Sequence, residues 1–141
     1  MQVWVPQVRI LSHSSIGGFL CHAGWGSVME SLSFGIPLIL LPIRIDQGLN
    51  ARQVALELEV GIEIERGDDG SFLRESISTI VTKAMAGEEG KRLRSNAGKA
   101  CDIIVANKQI YVPNFIQNLE QLVESYKKKR RKECNVDYFC Y

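Results

Sequence analysis

The sequence lacks several patterns that would place a protein in a class at once. Its four cysteines form no C-x-x-C pair and show no cysteine/histidine spacing typical of a zinc site. No apolar run approaches the ~18 residues that a transmembrane helix requires, and residues 1–4 have neither the charged nor the apolar region of a signal peptide. We therefore expect a cytoplasmic protein without a membrane span, in which Cys21 and Cys101 are buried free thiols.

A basic surface is also missing from most of the chain. Six of the 17 Lys and Arg residues lie at 127–132, and residues 1–126 carry 11 basic against 14 acidic residues, a net charge of −3. A mildly acidic body disfavours nucleic-acid binding, so no nucleic-acid partner is expected. We predict one folded domain over residues 1–126 and a basic, disordered tail over 127–141; a localisation signal or lipid-binding patch is the alternative interpretation of the basic run.

Apolar runs alternate with amphipathic segments along the body. Continuous apolar strands that alternate with helices predict an α/β fold with a parallel sheet covered by helices on both faces. One expected strand ends near Val5, and three others lie at 17–21, 38–41 and 61–64. The expected helices lie at 25–34, 47–58, 71–86, 88–106 and 114–126. Leu49, Val54 and Leu58 would form the apolar stripe of the second helix, and Phe115, Leu119, Leu122 and Val123 that of the last.

The segment His22–Ser27, which we call the phosphate loop, lies between an apolar strand and the start of a helix. The first backbone N–H groups of a helix have no intrahelical partners, and the helix dipole favours an anion there. His22 and Ser27 add side-chain donors. The pattern therefore predicts a site for a phosphate or diphosphate, although His22 taken alone is more often a structural histidine.

A longer pattern surrounds the phosphate loop and extends from Trp4 to Gln47. Over these 44 residues the chain resembles, without a gap, the nucleotide-sugar signature of plant secondary-product UDP-glycosyltransferases, glycosyltransferase family 1. The matching positions are Trp4-Val5-Pro6-Gln7, Gly17-Gly18-Phe19, His22-Ala23-Gly24-Trp25-Gly26-Ser27, Glu30, Gly35-Ile36-Pro37, Pro42 and Asp46-Gln47. The resemblance implies the Rossmann-like, C-terminal, donor-binding half of the two-domain GT-B fold. It also implies a UDP-sugar co-substrate and no metal or other cofactor.

The resemblance assigns the nucleoside end of the donor to residues on both sides of the first strand. Trp4 would stack on uracil, since a flat indole ring suits the face of a base. The Val5 backbone and Gln7 would bond the uracil edge. Glu30 would accept hydrogen bonds from the two ribose hydroxyls.

The remaining expected contacts concern the diphosphate and the sugar. His22, Gly24 and Ser27, with the N–H of Gly26, would hold the diphosphate and stabilise charge on the departing UDP. The sugar would contact Trp25, Asp46 and Gln47, although Asp46 is equally well explained as a helix cap.

Two positions depart from the family pattern, and one part of the enzyme is missing. Gly26 replaces the usual Asn, and Ala23 replaces a frequent Cys. The sequences of residues 24–31 and 46–52 resemble those of the family branch that adds a sugar to the sugar of a glycoside. The family's N-terminal domain carries the acceptor pocket and a catalytic histidine, and a general base must reach the acceptor hydroxyl. Neither His13 nor His22 suits that role, so we expect no catalytic residue in this chain and interpret it as a fragment.

The sequence therefore supports a UDP-glycosyltransferase portion that performs inverting transfer to a hydroxyl of a small plant metabolite or its glycoside. The acceptor would bind through the missing N-terminal domain, and the chain alone would be inactive. A non-catalytic fragment that binds a UDP-sugar or a partner is the alternative.

Overall fold

The computed structural model describes residues 5–67 and 69–136, apart from the side chains of residues 45 and 131–136. The strands are β1 (Phe19–Cys21), β2 (Leu38–Leu40) and β3 (Gly61–Glu63). The helices are α1 (Gln7–Leu11), α2 (Trp25–Leu32), α3 (Ile45–Arg52), α4 (Arg74–Met85) and α5 (Gly87–Val136), with a π-helical segment, Gln53–Glu57, directly after α3. A boundary between Ile104 and Val105 divides the chain into two compact units.

The three strands form a parallel sheet in the order β1-β2-β3. Leu38 pairs with Phe19 on one side and with Gly61 on the other. All three residues of β2 are buried, as expected for a central strand covered on both faces. The predicted α/β class, the parallel sheet and its flanking helices are confirmed. The predicted strand that ends near Val5 falls mainly on residues 1–4, outside the described residues.

Alternate residues of β2 enter two separate apolar clusters. Leu38 and Leu40 pack with Val28, Leu32 and Val54 on one face of the sheet. On the other face, Ile39 packs with the buried residues Ile64, Ala84 and Leu93, and with Ile77, Ile80 and Val81 of α4. Because successive side chains of a strand point to opposite faces, a wholly apolar strand of three residues supplies both clusters.

The ends of α2 and β3 depend on glycine. Gly35 follows the last turn of α2 with a φ of +67°, a conformation that glycine adopts without steric cost. At Gly61 a Cβ atom would lie 2.8 Å from the carbonyl oxygen of Leu38. β3 therefore approaches β2 more closely than a larger residue would allow.

The helix after β2 differs from its prediction. α3 begins at Ile45 rather than residue 47, and its last turn widens into the π-helical segment. Leu49 and Leu58 are 74% and 43% exposed, whereas Ala51 and Val54 are fully buried. Leu49 and Leu58 were therefore wrong as core positions. The change of helical period at Gln53 rotates the buried face and accounts for Leu58, whereas Leu49 precedes it and lies on the exposed side of α3.

One helix stands where two were predicted. α5 runs without a break from Gly87 to Val136 and contains Pro113. Within the first unit, Leu93 of α5 belongs to the apolar cluster around Ile39, and Ala97 belongs to the cluster around Leu38 and Leu40. From Val105 on, the helix presents exposed apolar side chains, and Phe115, Leu119, Leu122 and Val123 are 44–63% exposed, so their predicted burial was wrong. We predicted a disordered tail from residue 127, whereas the described helix continues to Val136.

Within the described residues, no helix combines the length and apolar character needed to cross a membrane.

Candidate functional site

The phosphate loop leaves β1 at its carboxyl end and enters α2 at Trp25. Gly24 is the N-cap residue, with φ −68° and ψ 133°, and no side chain caps the helix there in the described part of the chain. The Gly24 carbonyl oxygen accepts the hydrogen bond of the Val28 N–H at 3.1 Å. The N–H groups of the first turn, Trp25 to Ser27, precede that bond and have no intrahelical acceptor. This arrangement suits an anion.

Ala23 gives the phosphate loop an unusual backbone. Its φ is +61°, in the left-handed region that residues with a side chain seldom adopt, and the residue is fully buried. The amide nitrogen Nδ2 of Asn50, on α3, donates a hydrogen bond to the Ala23 carbonyl oxygen at 3.0 Å. This bond connects the phosphate loop to the helix that carries Asp46 and Gln47.

Two glycines of the phosphate loop have different surroundings. A Cβ atom on Gly24 would lie 2.6 Å from Nε2 of His22, so the imidazole ring rests on the Gly24 backbone. A Cβ atom on Gly26 would meet nothing within 4 Å. A side chain at Gly24 would therefore displace the His22 ring, while the position of Gly26 has room for a longer side chain.

The nucleoside part of the predicted site is joined by a side-chain hydrogen bond. Nε2 of Gln7 donates to Oε2 of Glu30 at 2.8 Å, in a partly buried position between α1 and α2. The two residues, 23 positions apart, were predicted separately for the uracil edge and the ribose. This hydrogen bond uses one side-chain atom of each residue. It leaves the other carboxylate oxygen of Glu30, Oε1, and the side-chain amide oxygen of Gln7, Oε1, for a ligand.

Gln47 and Asp46 differ in their surroundings. Oε1 of Gln47 accepts hydrogen bonds from the N–H groups of Ile43 and Arg44, both at 2.9 Å, and the residue is only 7% exposed. Gln47 therefore caps α3, and Asp46 does not, because the helix begins one residue before Asp46. The exposed Asp46 lies in the first turn, where a carboxylate is favoured by the helix dipole.

The loop that leads into α3 is also held from the β3 side. The Arg66 guanidinium donates to the carbonyl oxygen of Pro42 from Nε at 3.1 Å and from Nη2 at 2.6 Å, and Nη2 donates to the Ile43 carbonyl oxygen at 2.8 Å. Its carbon Cζ lies 4.8 Å from the centre of the Phe72 ring. Arg66 thus binds the carbonyl groups of this loop, and Gln47 binds the N–H groups of the same loop.

The structure brings most of the predicted positions to the carboxyl ends of β1 and β2. His22, Gly24, Gly26 and Ser27 lie in the phosphate loop, Glu30 follows on α2 and contacts Gln7, and Asn50 ties the loop to α3. Trp25 is 44% exposed and Val5 61% exposed. Trp4 lies outside the described residues, so its predicted contact with uracil stays a prediction.

A cavity of about 860 Å³ lies elsewhere, along β3, and its walls include Arg44, Arg52, Glu63, Arg66 and Arg92. None of the predicted donor contacts lines it. In the described part of the chain, no three His, Cys, Asp or Glu side chains are close enough together to hold a metal.

Burial raises the pKa of the Cys21 thiol, which keeps it protonated and unreactive. Its predicted burial as a free thiol is confirmed, and Cys101 is partly buried.

Sequence reasoning missed Asn50, Arg66 and the left-handed backbone of Ala23. Asn50 offered a weak signal, because asparagine is a poor residue for a helix interior and often bonds a backbone group there. Arg66 follows an alternating strand and gave no signal. Alanine has no preference for the left-handed region, so nothing at position 23 indicated its conformation.

The fold is the α/β fold of the GT-B glycosyltransferases. A solved Phytolacca americana UGT2 structure, described as complexed with UDP-2fluoro-glucose and pterostilbene, superposes with a TM-score of 0.67 at 37% identity, over 71% of this chain and 23% of that one. The family described as "UDP-glucoronosyl and UDP-glucosyl transferase" matches residues 1–65. Residues 1–65 thus carry the sequence pattern of this family, and the chain is similar to plant family 1 UDP-glycosyltransferases, of which it covers only part.

Curated relatives show the same partial coverage. UDP-glycosyltransferase 91B1 of Arabidopsis thaliana is 45% identical over 83% of this chain and 26% of its own length. Cyanidin-3-O-glucoside 2-O-glucuronosyltransferase of Bellis perennis is 41% identical over 86% of this chain and 28% of its own length. The chain thus spans about a quarter of the length of these relatives.

Proposed function

We propose that this chain forms the UDP-sugar-binding part of an inverting plant UDP-glycosyltransferase. The observation that carries the proposal is the phosphate loop: an uncapped N-terminus of α2 opens directly after a parallel strand, beside His22. Ligands of parallel α/β folds bind beyond the carboxyl ends of the strands. The donor diphosphate would occupy this position.

The side chains around the phosphate loop suit the two ends of the donor. Glu30, held by Gln7, has a free carboxylate oxygen for the ribose hydroxyls. Asp46 is exposed at the start of α3 and would bind sugar hydroxyls. Gln47 has its carbonyl oxygen bonded to the backbone, so it would offer its amide N–H groups. Trp25 is exposed at the start of α2 and would contact the sugar.

The reaction proposed for the whole enzyme is displacement at the anomeric carbon by an acceptor hydroxyl, with inversion. Backbone N–H groups of the first turn of α2, with His22 and Ser27, would stabilise the negative charge that develops on the departing UDP. The acceptor and the catalytic base would come from a further domain. A hydroxyl of a small metabolite or of a glycoside is the proposed acceptor; the Bellis perennis relative is named for a glycoside acceptor.

Calorimetric titration of the full chain with UDP and with UDP-glucose tests the proposal. We expect saturable binding of both, and a loss of about tenfold or more in affinity for Glu30→Ala, because a charged hydrogen-bond acceptor contributes about 1.5–3 kcal/mol. Glu75→Ala, a substitution in the first turn of α4, is the matched control and should bind as the parent does. A folded chain that binds neither ligand would refute the donor-site proposal.

Transfer assays separate an enzyme part from a binding module. The chain alone should not glycosylate an acceptor, and transfer should appear when an acceptor domain of the family is supplied in the same polypeptide. Transfer by the chain alone would show that no further domain is needed. Donor binding without transfer in such a fusion would favour the non-catalytic alternative.

A further inference from the structure

The left-handed conformation of Ala23 is not explained by its position in the chain. This conformation is unfavourable for a residue with a side chain, because the Cβ atom comes too close to the following carbonyl oxygen. Ala23 has a φ of +61°, follows β1 and precedes the N-cap of α2, so no helix ends there that would favour this backbone. Such strain persists only where neighbouring groups hold it, and it is concentrated at functional sites.

Asn50 is the group that holds it. Its Nδ2 lies 3.0 Å from the Ala23 carbonyl oxygen in a partly buried position. Asn50 is itself fixed, because the next residue, Ala51, and Val54 one turn on are fully buried in the core. The bond therefore anchors the loop backbone to a rigid helix.

The same arrangement occurs once more, away from the phosphate loop. Glu59 also has a left-handed backbone, with φ +51°, and Nδ2 of Asn96 lies 3.1 Å from its carbonyl oxygen. Among the described residues, Ala23 and Glu59 are the two with positive φ other than glycines. The Asn96–Glu59 pair is thus an internal control for the chemistry of the Asn50–Ala23 pair.

We infer that Asn50 is a positioning residue for donor binding, resting on the proposed function. By holding Ala23 left-handed, it fixes the direction in which the chain passes from His22 to Gly24. The imidazole of His22 then rests against Gly24, and the N–H groups of Trp25, Gly26 and Ser27 open the first turn of α2 without intrahelical acceptors. Asn50 acts through this backbone and does not itself touch the ligand.

The test compares Asn50→Ala with Asn96→Ala in the full chain, with calorimetry against UDP and denaturant unfolding measured in parallel. Both variants lose one side-chain-to-backbone hydrogen bond. The bond of Asn50 is partly buried and that of Asn96 is exposed, so we expect a fall in the denaturant midpoint for both, larger for Asn50→Ala. Only Asn50→Ala should weaken UDP binding, by about tenfold, the lower end of the losses seen when groups that orient metal-ligating residues are removed. Asn96→Ala should stay within about twofold of the parent.

A second substitution at Ala23 gives a readout that general destabilisation would not produce. Glycine adopts the left-handed region without a holding contact. Ala23→Gly added to Asn50→Ala should therefore recover part of the lost UDP affinity. No recovery in the double variant, or equal affinity losses for Asn50→Ala and Asn96→Ala, would overturn the inference.

Failure of the two proposals can be told apart. If the parent chain does not bind UDP, the donor-site proposal fails and this inference fails with it. If the parent binds and Asn50→Ala binds equally well, only the inference fails. Should Asn50→Ala not fold, Asn50→Leu is measured instead, because leucine is also branched at Cγ and suits a helix. The same tenfold loss is expected, and an unchanged affinity would count against the role of Asn50.

Discussion

Two turns in this molecule share a backbone conformation and a holding contact but occupy different positions in the fold. Glu59 follows Leu58, the C-cap of the π-helical segment, and therefore stands at the position where helices commonly end with a left-handed residue. Ala23 stands between a strand and a helix N-terminus, where no such rule applies. A left-handed residue alone therefore does not indicate a functional site. Its position relative to the neighbouring helices and strands shows whether the conformation is an ordinary helix end.

The surroundings of the two turns differ as well. Glu59 is exposed and its Oε2 pairs with Nη1 of Arg92 at 2.8 Å, on the path into β3. Ala23 is fully buried and is itself part of the phosphate loop. We therefore assign the Glu59 turn to sheet assembly and the Ala23 turn to the geometry of the site.

The largest expected effect comes from placing valine at both turns. A β-branched residue is strongly disfavoured in the left-handed region. Ala23→Val adds overpacking of a buried site, and should lower the free energy of unfolding by about 3 kcal/mol or more. Glu59→Val, at an exposed position, should lose about 1–2 kcal/mol, mostly from backbone strain. Urea titrations check both values, and equal losses would contradict the different burial of the turns.

Gly61→Ala should disturb the sheet but not the site. The added Cβ would lie 2.8 Å from the Leu38 carbonyl oxygen, so β3 must move away from β2. We expect a loss of about 1–3 kcal/mol in unfolding free energy, as for other overpacked positions. Calorimetry on the folded variant should give an unchanged UDP affinity. A loss of affinity as large as that of Asn50→Ala would remove the distinction between the two turns.

Gly26→Asn should strengthen donor binding. The position has open space beyond Cα, and an asparagine side chain adds a donor near the predicted diphosphate. One further hydrogen bond is worth about 0.5–1.5 kcal/mol, or about a two- to tenfold gain in UDP affinity. Gly48→Asn, at a second position with open space, is the matched control and should leave affinity unchanged. A weaker or unaltered affinity for Gly26→Asn would place the diphosphate elsewhere.

The smallest effect concerns Glu63, at the end of β3. Burial raises the pKa of its carboxyl group, with the neighbouring Arg52 acting in the opposite direction and Glu65 in the same direction as burial. A raised pKa in the folded state means that the ionised form costs stability above that pKa, and that the cost fades as pH falls through it. Glu63→Gln should therefore give a slightly higher denaturant midpoint at about pH 7, and the advantage should shrink at about pH 4. A difference that stays constant across this range would contradict burial as the cause of the raised pKa.

The strands were predictable because their sequences admit one interpretation. Leu38–Leu41 and the run that ends at Cys21 are continuous apolar segments bounded by glycine and proline, and periodicity locates such strands well. α5 was not predictable in this way. Two helices were predicted, at 88–106 and 114–126, whereas one helix spans both segments and passes through Pro113.

The residues of the candidate site also fall into a predictable and an unpredictable group. His22, Gly24, Ser27 and Glu30 could be placed from the sequence, because they follow directly from a strand-loop-helix pattern. The contacts that hold them could not: Asn50 meets Ala23 across 27 residues, and Arg66 reaches Pro42 across 24. Local periodicity carries no information on pairs that only the tertiary fold brings together.

The most direct test of the central claim is a backbone amide NMR titration of the full chain with UDP. If the donor diphosphate binds at the phosphate loop, saturable shift changes will concentrate at residues 22–30 and at Asp46 and Gln47, while Glu59 to Ile62 stay unchanged. Binding in the cavity along β3 would give the opposite pattern. Shifts centred on Gly61 to Arg66, or no saturable shift from a folded chain, would contradict donor binding at the phosphate loop.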